Sequence, residues 1–201
     1  MAYSNFTLET VQKTFQLEKL ESTNIFSNIE PVPPSADLTK ELAKKVPLAM
    51  AIRTEKARSE LIVASILVEL REHFEHRISF FSGIDFSVDA ESGLTGVCDF
   101  LISLSPDQYY LEAPVIVIVE AKNADPVIGL GQCVAEMLAA QRFNAERGND
   151  IPRVYGATTT GTEWLFLRLE GEKLYIDMEV YQIRQCGEIL GILTSMVDQK
   201  A

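Results

Sequence analysis

Pro114-Val115-Ile116-Val117-Ile118-Val119-Glu120-Ala121-Lys122 is the stretch on which the fold turns. Its β-branched residues follow one another with no polar alternation, the pattern of a strand buried on both faces. A proline opens the run and two opposite charges close it. Side chains alternate faces along a strand, so Glu120 and Lys122 project together, and Val119 and Ala121 project the other way. This is the only Glu-x-Lys in a chain of 29 acidic residues; the only Asp-x-Lys, Asp198 to Lys200, lies in the tail.

Working outward, Val97–Leu104 and Ile78–Asp89 show period two and read as strands, with a turn at Ser92-Gly93 between them. Asp99 interrupts the run Val97-Cys-Asp-Phe-Leu-Ile102, and a charge there is costly to bury unless it is paired or bound to metal. Upstream, Glu55–Phe74 is the strongest helix, with Val63, Ile66, Leu67, Leu70 and Phe74 as its apolar stripe. The chain also turns helical from Asp37, with a pause expected at Pro47. Before it lie a short helix over Thr7–Phe15 and the breaker Pro31-Val-Pro-Pro34. Downstream, Ala124–Gly131 reads as a loop and 131–147 as a second good helix stopped by Gly148. Arg153–Thr159, Glu163–Leu169 and Lys173–Ile183 are three more strands, and a helix over Gly187–Val197 closes the chain. The expected class is α/β or α+β, with a central mixed sheet covered on both sides. The expected organisation is a lead-in over 1–36 and a main domain over 37–201.

Composition bounds the function. At 201 residues and 47% hydrophobic, one domain can bury a core without staples. The formal net charge of −11 argues against a domain that grips nucleic acid by a broadly basic surface, since such binding needs clustered Lys and Arg to displace counterions. Cys98, Cys133 and Cys186 are too few and scattered for a disulfide framework or a Cys-rich zinc site. They read as buried thiols, with Cys98 and Cys133 pointing into the core, away from their neighbours Asp99 and Gln132. The longest apolar stretches fall far short of the ~20 residues a membrane span needs. The expectation is a soluble cytoplasmic protein.

Gly96-Val-Cys-Asp99 and Val119-Glu120-Ala121-Lys122 on neighbouring strands resemble the site of the PD-(D/E)XK nuclease superfamily, which has the restriction-endonuclease-like fold. The resemblance extends over about Glu55 to Leu169. It includes a glutamate on the preceding helix, Ser59-Glu60, and a glutamine opening the following helix, Gly131-Gln132. Cys98 stands where the motif's proline would be. The wider pattern is most similar to uncharacterised bacterial members and to nuclease domains of type I restriction subunits. The resemblance implies a central mixed β-sheet flanked by helices. It further implies Mg²⁺ (or Mn²⁺) as cofactor and nucleic acid, DNA above all, as substrate. Asp99, Glu120 and Lys122 would be catalytic, Glu60 and Gln132 supporting, and Asp99, Glu120, the Ala121 carbonyl and Glu60 would form the metal shell. A homodimer is implied by resemblance alone.

The chemistry stands without the family name. Phosphodiester hydrolysis needs a water nucleophile, a cation against developing charge and a donor near the phosphate. Mg²⁺ takes one or two carboxylates with waters and substrate phosphates. Asp99 and Glu120 supply carboxylates, and Lys122 supplies a point charge to orient the water or touch the phosphate. Glu60 precedes Val63, Ala64 and Leu67 by helical spacing and so shares their face. The competing interpretation is an ion pair at a strand end, in a catalytically silent module that serves as a scaffold for a protein partner. His73 and His76 have no third ligand nearby in sequence, and Gly129-Leu-Gly131 lacks the third glycine of a dinucleotide fingerprint.

Overall fold

The computed structural model describes residues 2–22, 24–149 and 151–199. The strands are β1 (Glu18–Ser22), β2 (Ser79–Asp85), β3 (Val97–Ser103), β4 (Val115–Ala121), β5 (Val154–Thr159), β6 (Glu163–Glu170) and β7 (Lys173–Gln182). They form a 7-stranded mixed sheet in the order β1-β7-β6-β5-β4-β3-β2. The helices are α1 (Leu8–Phe15), α2 (Ala36–Ile52), α3 (Glu55–Arg58), α4 (Ala64–His73), α5 (Leu130–Glu146) and α6 (Cys186–Val197). A π-helical turn over Ser59–Val63 joins α3 to α4.

The run that opens the sequence reading is β4, and every one of its residues is buried. It lies inside the sheet, parallel to β5 and antiparallel to β3. On one face Val117 and Val119 pack with Ile62, Ile66, Trp164 and Ile189. On the other, Ile118 packs with Val134, Met137 and Leu167. Each such side chain contributes roughly 1.5–3 kcal/mol by leaving water. With helices on both faces, no period-two polar signal survives in β4.

The start of β4 is tied to α5 by one side chain. Val115 N–H donates to Asn144 Oδ1 at 2.8 Å, and Asn144 Nδ2 donates to the Val115 carbonyl at 2.7 Å. Asn144 is buried, so truncating it orphans two backbone groups at about 1–3 kcal/mol each. Asn144→Ala is therefore expected to lower the melting temperature by about 6–12 °C, read by circular dichroism; a change within error would contradict this role.

Three local expectations are adjusted. Helix α2 continues through Pro47 instead of pausing, because buried Leu38, Leu42 and Ala49 hold it on both sides of the proline. The single helix expected over Glu55–Phe74 is divided by the π-helical turn. The residues expected as a lead-in also supply β1, parallel to β7 at the sheet edge, and bury Tyr3, Phe6, Val11 and Leu17. Among the described residues no helix is long and apolar enough to cross a membrane.

Candidate active site

The site forms where β3 leaves β4. Their ladder runs through Ile102–Val117, Leu101–Ile118 and Phe100–Val119. One residue beyond, the Ala121 N–H donates to Asp99 Oδ2 at 2.8 Å. A carboxylate thus takes an amide of the neighbouring strand where the ladder has ended. On the other side Glu120 sits opposite Thr158 of β5, and the Lys122 N–H donates to the Thr159 carbonyl at 2.7 Å. The β4 end is held from both flanks, so its charged side chains are presented by fixed backbone.

Glu120 is 1% exposed. Its Oε1 accepts a short hydrogen bond from Lys122 Nζ, while its Oε2 is buried with no hydrogen-bond partner among the described residues. Lys122 Nζ also donates to Gln132 Oε1 at 3.2 Å, and Gln132 Nε2 donates to Glu136 Oε1 at 3.1 Å. Glu136 is fully buried, and its Oε2 likewise has no partner. Thr158 Oγ1, beside Glu120, is a third buried atom without one. Gly129 closes the wall: a Cβ there would lie 3.1 Å from Lys122 Cγ and 3.2 Å from Thr158 Cγ2. Glycine lets the turn after β4 fold down onto the lysine.

Three carboxylates here face one ammonium. The Glu120 carboxyl is pushed up to about 8, by burial first and then by Asp99, with Lys122 pulling the other way. Glu136 is held well above the usual carboxylate range by burial and then by Glu120. Burial works against the Lys122 ammonium, but the charge and hydrogen bond of Glu120 outweigh it, so Lys122 titrates above its usual value. Positive charge is what this pocket lacks.

A hard divalent cation fits that deficit, and the unpartnered Glu120 Oε2 is the atom that would meet it. Asp99, which accepts from the Ala121 N–H and whose charge bears on Glu120, could serve as a second carboxylate ligand, and the Ala121 carbonyl is the further oxygen that the sequence pattern points to. Among the described residues no group of three or more His, Cys, Asp and Glu side chains gathers as a ready-made cage. Any cation held here would rest on two carboxylates with waters and substrate oxygens, the usual mode for Mg²⁺.

Of the residues singled out in the sequence, Asp99, Glu120, Ala121, Lys122 and Gln132 come together. Glu60 does not. Its side chain is 62% exposed, 3.7 Å from Lys56 Nζ, and it lines a separate groove with Glu41, Lys45 and Glu69. Across the π-helical turn Glu60 lines that outer groove with Ala64 and Val68, while Val63 and Leu67 turn into the core without it. From that helical segment it is Glu55 whose charge reaches Glu120 and Lys122. The cysteine expectation holds: Cys98 and Cys133 are fully buried in the apolar cluster between the sheet and α5. Cys133 Sγ lies 3.8 Å from the Ala157 carbonyl, and burial first, then the charges of Glu136 and Glu120, hold both thiols above their usual range. His76 pairs with Glu72 at 2.8 Å on an exposed helix end.

Sequence reasoning missed Glu136 and Thr158. Glu136 carried a signal, being the single charge between Leu130 and Ala140 and one helical turn after Gln132. Thr158 carried none, since its place depends on the register of β5 against β4. No protein-family model, curated protein or solved structure matches the chain.

Proposed function

We propose that this protein hydrolyses phosphodiester bonds of nucleic acid, with DNA as the expected substrate and Mg²⁺ or Mn²⁺ as cofactor. The observation that carries the proposal is Asp99 held on the Ala121 amide where β3 and β4 part, near enough to Glu120 to raise its carboxyl, with Glu120 Oε2 buried and unpartnered among the described residues. The resemblance of these strand ends to the PD-(D/E)XK pattern supports it, and the mixed sheet flanked by helices is compatible with the restriction-endonuclease-like arrangement that pattern implies. When bound, the cation supplies charge against the phosphoryl oxygens and lowers the pKa of water. Asp99 and Glu120 would hold it, and the Ala121 carbonyl would add a ligand. Lys122, steadied by Gln132, orients the attacking water or meets the phosphate.

The test is direct. Purified protein is incubated with single- and double-stranded DNA and with RNA, in Mg²⁺ or Mn²⁺, and products are resolved on denaturing gels. Cleavage that disappears in Glu120→Ala and Lys122→Ala supports the proposal; no cleavage of any substrate, or cleavage surviving both changes, sinks it.

One observation favours a second reading, a silent module that scaffolds a protein partner. Lys122 Nζ is engaged with Glu120 Oε1, as in a purely structural ion pair. Calorimetric titration with Mn²⁺ separates the two: a binding isotherm abolished by Asp99→Ala belongs to the nuclease, and a flat trace to the scaffold.

A further inference from the structure

A nuclease of net charge −11 needs some local means of holding its substrate. Several cations among the described residues are committed to carboxylates: Lys13 to Glu9, Lys45 to Glu41, Lys56 to Glu60, Arg142 to Asp89 and Arg153 to Glu170. Two arginines next to the site are not. A groove of about 580 Å³ is lined by Arg53, Arg58, Asn123, Thr160, Thr162 and Glu163, among others. Asn123 directly follows Lys122, and Thr160 follows Thr159, whose carbonyl takes the Lys122 N–H. Glu55, lying between the two arginines in sequence, is close enough to bear on the charge of Glu120 and Lys122. The groove therefore borders the carboxylate site.

Among the described residues neither arginine has a carboxylate partner. Arg58 Nη1 reaches the Thr160 carbonyl at 3.4 Å, while its Nε is buried without a partner. Arg53 is exposed at the end of α2 with φ +63°, a position whose ordinary occupant is glycine or asparagine. Glu163 is the one acidic side chain on the groove, and its Oε1 accepts from Gln182 Nε2 at 3.3 Å. In a chain with 29 acids against 18 bases, two uncompensated guanidiniums flanking two hydroxyls and an amide form an anion-binding wall.

We propose that this groove binds the phosphate backbone of the nucleic-acid strand flanking the scissile phosphate, through Arg53 and Arg58 with Asn123, Thr160 and Thr162. The proposal rests on the nuclease reading for the identity of the strand, but it is tested by binding alone. Fluorescein-labelled single-stranded and duplex oligonucleotides are titrated with the full chain in EDTA, and anisotropy is followed over a salt series. Arg53→Gly suits the backbone at that position, so it removes charge without threatening the fold. Arg58→Gln is checked by circular dichroism, and Arg58→Lys tests rescue by charge. Each loss is expected to weaken binding about tenfold at low salt and to flatten the log–log salt slope by about 0.9 on duplex. Lys13→Ala, on α1, is expected to leave both unchanged. Wild-type affinity and slope in the Arg53→Gly/Arg58→Gln double variant would overturn the groove, and so would absence of binding by the wild type. Arginine-dependent binding without metal-dependent cleavage would keep the groove and remove the nuclease. Cleavage with arginine-independent binding would do the reverse.

Discussion

Glu120→Gln is expected to stabilise the fold near pH 8 while lowering metal-dependent cleavage about a thousandfold. The second effect has the scale of removing one preorganised electrostatic contact from a reacting centre. The first follows from linkage. The folded state holds a proton on Glu120 up to about 8, against an ordinary value of 4.5. A raised carboxyl contributes stability that is full below the lower value and is lost as pH rises through the upper one. Ionised Glu120 at pH 8 is a buried charge whose single cationic partner, Lys122, must also answer Asp99 and Glu136. Glutamine has no charge to bury, and the gain expected near pH 8 is on the order of a few kcal/mol. Melting temperatures measured from pH 5 to pH 8 should fall in the wild type and fall less in Glu120→Gln. Glu136 contributes in the same direction, so adding Glu136→Gln should flatten the profile further. Superimposable profiles for wild type and Glu120→Gln would show that Glu120 is ionised throughout. A site that weakens its own fold until something positive arrives is a common trade between stability and activity.

The sequence carried the site better than its surroundings, for physical reasons. β4 was legible because a run of Val and Ile bounded by Pro114 and a charge pair has few alternatives to a doubly covered strand. Asp99 was legible because a charge amid Val97–Ile102 demands a partner, and it has one in the Ala121 amide. The helices over 131–147 and 187–197 were legible by periodicity. β1 was not, because Glu18-Lys-Leu-Glu-Ser22 has no alternating apolar face; it is a strand only through its pairing with β7. Glu60 was misplaced because residue types do not show that Ala64 lines the outer groove with it while Val63 and Leu67 turn into the core. The arginine groove was hidden for a related reason: Arg53 and Arg58 are interleaved with Glu55 in sequence, and only the fold separates which cations are spent.

Lys122→Met is expected to cost about 3 kcal/mol in stability above pH 8, where Glu120 is ionised, because it strands a buried carboxylate without its cation. The cost should shrink as pH falls, since Glu120 then takes a proton in place of the lysine's charge. In the double variant Glu120→Gln/Lys122→Met neither charge remains, and most of the lost stability should return. The difference from additivity is expected at about 1–3 kcal/mol, the range for groups in direct contact. Divalent cation then separates a structural pair from a metal centre. At one hundred times its Kd, Mn²⁺ stabilises any form that binds it by about 2.7 kcal/mol. It should therefore raise the melting temperature of the wild type and, more strongly, of Lys122→Met, where it replaces the missing positive charge. It should do little for Glu120→Gln, whose neutral amide is a weaker ligand for a hard cation. If Mn²⁺ moves none of these proteins, the buried pair is structural and the nuclease proposal loses its cofactor. If it rescues Lys122→Met alone among the inactive variants, cation and ammonium are interchangeable for stability yet not for catalysis. That result would assign Lys122 its work on the water or the phosphate, beyond mere neutralisation of Glu120.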